Sequence, residues 1–121
     1  MHYLLLIPIV MYIGTSLWAN FDLFPEDFMQ YWWFDDIGHI VVFGSLTLTA
    51  LTVAYKRQTS ALFALTSVTL LAIVDEFSQL ILIYRSFSYH DLQMSLVGVS
   101  LAYCSYLIGV TVLIGMSKKK K

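Results

Sequence analysis

The chain has 121 residues, 59% of them hydrophobic and only 12% charged, with a mean hydropathy of +0.74. Soluble domains carry about 25% charged residues, and a chain this short has too little interior to hide so much apolar surface from water. The net charge of −1 leaves no basic footprint for nucleic acid, and the one cysteine, Cys104, excludes a disulfide framework. Lipid is the natural solvent for such a chain. Cys104 sits in an apolar run and reads as a packed, inert thiol.

Four apolar segments follow one another, and a spanning helix needs about 20 apolar residues. The first runs from Tyr3 to Ala19. It is long and has no Lys or Arg ahead of it, so it reads as a retained span rather than a cleaved signal peptide. Next comes an acidic, aromatic stretch, Asn20–Phe34, whose rings suit an interfacial belt. Within it, PEDFMQYWWF reads as a short interfacial helix, with Pro25 at a first helical position and Glu26 and Asp27 at the positive end of the dipole. The second segment runs from Ile37 to Tyr55, and the third from Ala61 to Tyr84. The run at 61–74, ALFALTSVTLLAIV, lacks the alternation that a solvated helix face requires, which excludes a soluble all-α core. The fourth segment runs from Leu92 to Met116 and carries Ser95, Gly98 and Ala102 as a small-residue stripe suited to close helix packing in lipid.

The basic residues orient these segments. Six of the seven fall at Lys56-Arg57 and Lys118–Lys121, both cytoplasmic by the positive-inside rule. The expected fold is therefore all-α: one domain, 1–121, forming an integral membrane bundle of four transmembrane helices with both termini inside. The basic tail at 117–121 then lies against anionic lipid.

With that topology the polar residues converge on the outer side. DDIGH puts Asp35 and His39 four residues apart on one face of the second helix, with Phe43 a turn further on. In the third helix, Glu76 lies about 22 Å from the inner end, in the outer half of a core about 30 Å thick. DEFSQ thus brings Asp75, Glu76 and Gln79 to the depth of His39, and Arg85, Ser88 and Asp91 follow on the same side. Carboxylates inside a span cost roughly 2.5–3.5 kcal/mol each on insertion scales and usually face the bundle interior with a partner. A buried carboxylate beside an imidazole can share a proton, which suits acid/base chemistry. His39, Glu76 and Asp35 are the candidate catalytic set; Gln79, Arg85, Ser88 and Asp91 are the candidate binding set.

Other readings compete for these residues. A purely structural cluster would pair the acids with His39 or Arg85 to lock the bundle. A metal site on His39 with Asp35, Glu76 or Asp75 is poor for zinc and better for a hard cation, and His90 alone could supply a second histidine at that depth, so neither a metal nor a cofactor is assigned. An anion site at Arg85 and the start of the fourth helix competes with SYHD at 88–91, which reads as a capping box with Asp91 already on the dipole. Ser78, Ser86, Ser88 and Ser95 lack the glycine pattern of a nucleophile elbow.

The ordered set formed by DDIGH with Phe43, then DEFSQ, Arg85, Ser88, Asp91 and Gly98, resembles the VanZ-like family of small integral membrane proteins. The match covers 34–102. The resemblance implies Asp35 and His39 as a first motif and Glu76, Gln79, Arg85, Ser88 and Asp91 as a second. It also implies a multi-pass protein of a bacterial plasma membrane, and its founding member is linked to reduced susceptibility to the glycopeptide teicoplanin. Where the family often has Lys after the first Asp and Asn four residues after the loop Asp, this chain has Asp36 and Ser95.

The expectation is an outward-facing polar site that acts on or binds an envelope lipid or a lipid-linked cell-wall precursor. The alternative is a non-catalytic binding or assembly module whose polar cluster is structural. Membrane lipids are the expected partners, nucleic acid is not, and a homo-oligomer is compatible with the sequence.

Overall fold

The computed structural model describes residues 6–20, 32–82 and 86–119, in four helices and with no strand among the described residues. They are α1 (Ile7–Asn20), α2 (Trp32–Lys56), α3 (Ala61–Ser78) and α4 (Tyr89–Lys118). The interfacial helix expected around residues 25–34 falls mostly outside the described residues. So do Arg85 and the last two lysines.

α2, α3 and α4 are long and apolar enough to cross a membrane; α1 is apolar over Ile7–Trp18 but shorter. The boundaries depart from the apolar runs in instructive ways. α2 begins at Trp32 rather than Ile37, because Asp35 in its first turn complements the helix dipole instead of ending the helix. α4 starts at Tyr89 because Ser88 caps it, its hydroxyl accepting from the Asp91 N–H at 3.3 Å. α3 stops at Ser78, six residues short of Tyr84. There the ladder tightens into i→i+3 bonds, from Gln79 N–H to the Glu76 carbonyl and onward to Leu82.

The turn between α2 and α3 is closed by two caps. Gln58 takes the left-handed conformation at φ 54°, with the Thr59 N–H donating to the Ala54 carbonyl and the Gln58 N–H to that of Tyr55. Ser60 then starts α3, accepting from the Phe63 N–H.

α2 is the centre of the bundle, packed against α4 most extensively and also against α3 and α1. α2 and α4 run side by side in the same direction. They can approach closely because Gly44 faces Gly98: a Cβ on Gly98 would lie 2.5 Å from the Ile40 carbonyl oxygen and 3.1 Å from the Gly44 nitrogen. Ser95, Gly98 and Ala102 are all buried, as the stripe requires. α3 buries Ala64, Val68, Ala72 and Glu76, a row at four-residue spacing along one face.

The core has two parts. Val42, Phe43, Leu46, Val68, Ala72 and Val99 form one cluster, with Tyr12 of α1 packed against it. Leu51, Ala54 and Ala64 form the other, covered by Tyr103 and Tyr106. Large apolar side chains cover the outside instead; Leu62 and Phe63 are each 72% exposed. That inversion is what a lipid-facing surface looks like. Cys104 shares it: the thiol is exposed rather than packed.

Candidate functional site

Among the described residues, almost every buried polar contact between helices lies at one end of the bundle, where α2 and α4 begin and α3 ends. α2 contributes Asp35, Asp36 and His39 within its first turns. His39 is only 9% exposed, and its ring lies parallel to that of Phe43 one turn on. The imidazole Nδ1 meets the Ser95 hydroxyl of α4 at 2.9 Å. Its Nε2 faces two carboxylates, Asp35 Oδ1 at 3.8 Å and Asp91 Oδ2 at 4.0 Å. Asp91 and Ser95 are four apart on α4, so one face of that helix supplies both partners.

Glu76 anchors a second group from α3. It is 1% exposed, and both oxygens accept hydrogen bonds, Oε1 from the Ser88 N–H at 2.7 Å and Oε2 from the Gln79 amide at 3.2 Å. The Ser88 N–H belongs to the cap of α4, where backbone donors have no helical partner. Glu76 therefore ties the end of α3 to the start of α4. Gln79 is itself buried, and its Oε1 accepts no hydrogen bond among the described residues.

The two groups meet at the first turn of α4. Glu76 holds Ser88, Ser88 caps through the Asp91 N–H, and the Asp91 carboxylate faces His39. The structure thus brings Asp35, His39, Glu76, Gln79, Ser88 and Asp91 into one chain of contacts. The link from His39 to Glu76 runs through Ser88 and Asp91. Arg85 lies outside the described residues.

Four polar contacts here, made by three residues, were not anticipated. Ser95 looked like packing but holds the ring of His39. Its place four residues after Asp91 was the available signal. Asp75 turns away from Glu76 toward α1, accepting from the Tyr12 hydroxyl at 3.0 Å and the Ser16 hydroxyl at 3.4 Å. Adjacent helical residues point about 100° apart, so two neighbouring acids cannot both face one partner helix. His90 is exposed yet meets Asp36 at 2.9 Å.

Chemically, the arrangement offers a mostly buried imidazole, held at one nitrogen and directed by the other at two acids. Proton exchange and cation coordination are the two things such a group does. Among the described residues, Asp35, His39 and Asp91 are the one set whose metal-ligating atoms converge, all within 4.8 Å of one another.

No curated protein and no solved structure matches the chain. A sequence profile of the VanZ/LLP1 family does match, over residues 2–112. Together with three long apolar helices, that match points to a membrane protein. Nearly the whole chain, including every motif residue from Asp35 to Gly98, falls inside the matched region, and the chain belongs to the VanZ/LLP1 family.

Proposed function

We propose that the chain is a four-span protein of a bacterial plasma membrane, with both termini inside. Its polar end opens outward to bind or modify an envelope lipid or a lipid-linked cell-wall precursor. Orientation is supported by charge: Lys56 and Lys118 close the far ends of α2 and α4, and the cytoplasmic side collects such residues. A glycopeptide-susceptibility phenotype would follow if the ligand is a precursor that glycopeptides also meet.

The observation that carries the reading is the burial of His39, Glu76 and Gln79 among Asp35, Ser88 and Asp91 at one end of an otherwise apolar bundle. Serine, threonine and glycine hold membrane helices together at lower cost than ionisable groups do, so this concentration favours a site. In this reading His39 exchanges a proton with the ligand while Asp35 and Ser95 hold its ring. Glu76 fixes the first turn of α4, alongside Ser88, and takes part in proton exchange. Gln79 and Arg85 contact the polar head, and Asp91 holds the loop.

A second reading is favoured by one specific feature: both Glu76 oxygens are already engaged by Ser88 and Gln79. On that basis the cluster is a structural clamp in a non-catalytic binding or assembly module.

Comparing lipids and wall precursors in cells with the protein, without it, and with His39→Gln or Glu76→Gln separates the readings. Catalysis predicts that both variants accumulate in the membrane yet leave the profile of the deletion strain. If both accumulate and restore the wild-type profile, proton chemistry at this centre is refuted. Failure of both to accumulate supports the clamp.

A further inference from the structure

We infer that Asp35, His39 and Asp91 form a binding site for a divalent metal ion, coordinated through Asp35 Oδ1, His39 Nε2 and Asp91 Oδ2.

Three observations carry this. First, His39 is nine-tenths buried, and its Nε2 is aimed at both carboxylates without being hydrogen-bonded to either: the separations are 3.8 and 4.0 Å. Those lengths exceed a hydrogen bond. Neighbouring ligands about 2.0–2.2 Å from one ion stand roughly 3–3.6 Å apart, so these atoms, all within 4.8 Å of one another, stand slightly wide of that spacing and close on an ion by small side-chain rotations. Second, the donor atoms come from two helices whose approach is fixed nearby by Gly44 and Gly98, so the site is built on rigid elements. Third, Ser95 Oγ meets Nδ1 at 2.9 Å. An outer partner on the far nitrogen is the arrangement that sets ring orientation and tautomer in metal-bound histidines. With Nδ1–H donating to Ser95, the Nε2 lone pair points at the acids.

The donor set also selects the ion. One imidazole and two carboxylates favour a hard or borderline divalent cation over a thiophilic one. Three protein donors leave positions for water or for an oxygen of a ligand. Among the described residues this end of the bundle carries the acids Asp35, Asp36, Glu76 and Asp91, with His39 and His90 beside them. A divalent ion gives such a hollow a way to hold a phosphate-bearing head group. The metal inference goes beyond the proposed function and does not depend on it, because ion binding is read without any lipid. His39 Nε2 carries either a proton or a metal, so with the ion in place His39 is a ligand; the proposed binding of a polar head group is kept, while metal ligation replaces the proton exchange assigned to His39 above.

The test is Mn2+ binding to the full chain in detergent micelles, followed by electron paramagnetic resonance. The expected result is saturable binding of one Mn2+ per chain, with hyperfine coupling to a single imidazole nitrogen. His39→Gln should abolish the nitrogen coupling, and His39→Gln and Asp91→Asn should each weaken binding by at least about tenfold. Ser95→Ala should retain the coupling and weaken binding about tenfold, the usual scale for an outer partner. Asp36→Asn, at the neighbouring exposed pair, should leave binding unchanged. Absence of saturable binding, or binding with no nitrogen coupling in the wild-type chain, overturns the inference without recourse to any variant. Binding that survives both His39→Gln and Asp91→Asn overturns it as well. An unchanged lipid profile in cells, with Mn2+ binding intact, counts against the proposed function alone.

Discussion

The two ends of the bundle obey different rules. At the end around Leu51, Ala54 and Ala64, the helices are joined by apolar packing under Tyr103 and Tyr106. Hydroxyls on that side turn back on their own helices: Thr52 donates to the Leu48 carbonyl, and Ser67 to that of Phe63. At the opposite end, polar groups reach across: His39 to Ser95, Glu76 to Ser88, Asp36 to His90, Tyr12 to Asp75. A hydroxyl bonded to its own backbone carries no information about its neighbours. A carboxylate bonded to another helix does, because it fixes register and leaves a buried charge if the partner is lost. The polar end is where the molecule has accepted cost for specificity, and that asymmetry is the main reason to locate function there.

The sharpest way to break the contrast is at its midpoint. Gly98 lies one turn from Ser95, where α2 and α4 come closest. In Gly98→Ala the added methyl meets the Ile40 carbonyl oxygen at 2.5 Å, a backbone atom that cannot swing aside. The helices must part, at a cost of about 1–3 kcal/mol by the usual scale for overpacking. Denaturation of the micellar protein by increasing SDS should show this loss. Gly44→Ala, with 3.3 Å to the Gly98 oxygen, should cost less. Because His39 and Ser95 are one turn away, Gly98→Ala should also weaken the polar site, whereas trimming the Leu51 cluster should not.

Next in size is Glu76→Ala. It leaves the Ser88 N–H and the Gln79 amide without their acceptor in a buried place, and each such orphan costs on the order of 1–3 kcal/mol. The loss should appear as fraying where α3 meets α4, read by faster amide exchange at Ser88–Asp91 with the Leu51 end unaffected. Glu76→Gln keeps an acceptor oxygen and should cost less than half as much. Equal effects of the two changes would mean that charge, not hydrogen bonding, holds this junction.

How much of this was legible in the sequence follows from the range of each interaction. The helices themselves announced their presence, because apolar runs interrupted by charged turns leave few alternatives. Asp35 with His39, and Ser88 with Asp91, are local pairs, and helical spacing or capping chemistry reveals them directly. The helix ends were less legible. A run of apolar residues marks where lipid would be, while a helix continues until its backbone bonds change; Asp35 and Tyr89 therefore fell inside helices that the apolar runs had started too late. Contacts between distant segments were least legible. Ser95 beside Gly98 and Ala102 carries the signature of packing, and only the crossing at Gly44 puts its hydroxyl against His39. Asp75 and Glu76 looked like one acidic unit, yet helical rotation sends them to α1 and α4 respectively.

The smallest predicted effect tests whether burial, rather than polarity alone, makes this end distinctive. Asp36 and His90 also join α2 to α4, at 2.9 Å, a shorter separation than either carboxylate keeps from His39 Nε2. Judged by length alone, this would be the stronger link. His90, however, is 58% exposed, so water or lipid head groups can replace its partner and salt can screen the pair. Exposed pairs of this kind contribute about 0–1 kcal/mol. Asp36→Asn should therefore shift the SDS midpoint only slightly and leave the lipid profile of cells unchanged, while Glu76→Ala moves both. An Asp36→Asn loss as large as that of Glu76→Ala would place the Asp36–His90 link in a drier environment than its exposure implies. The outer face of the bundle, rather than the buried cluster beneath it, would then be what holds α2 and α4 in register.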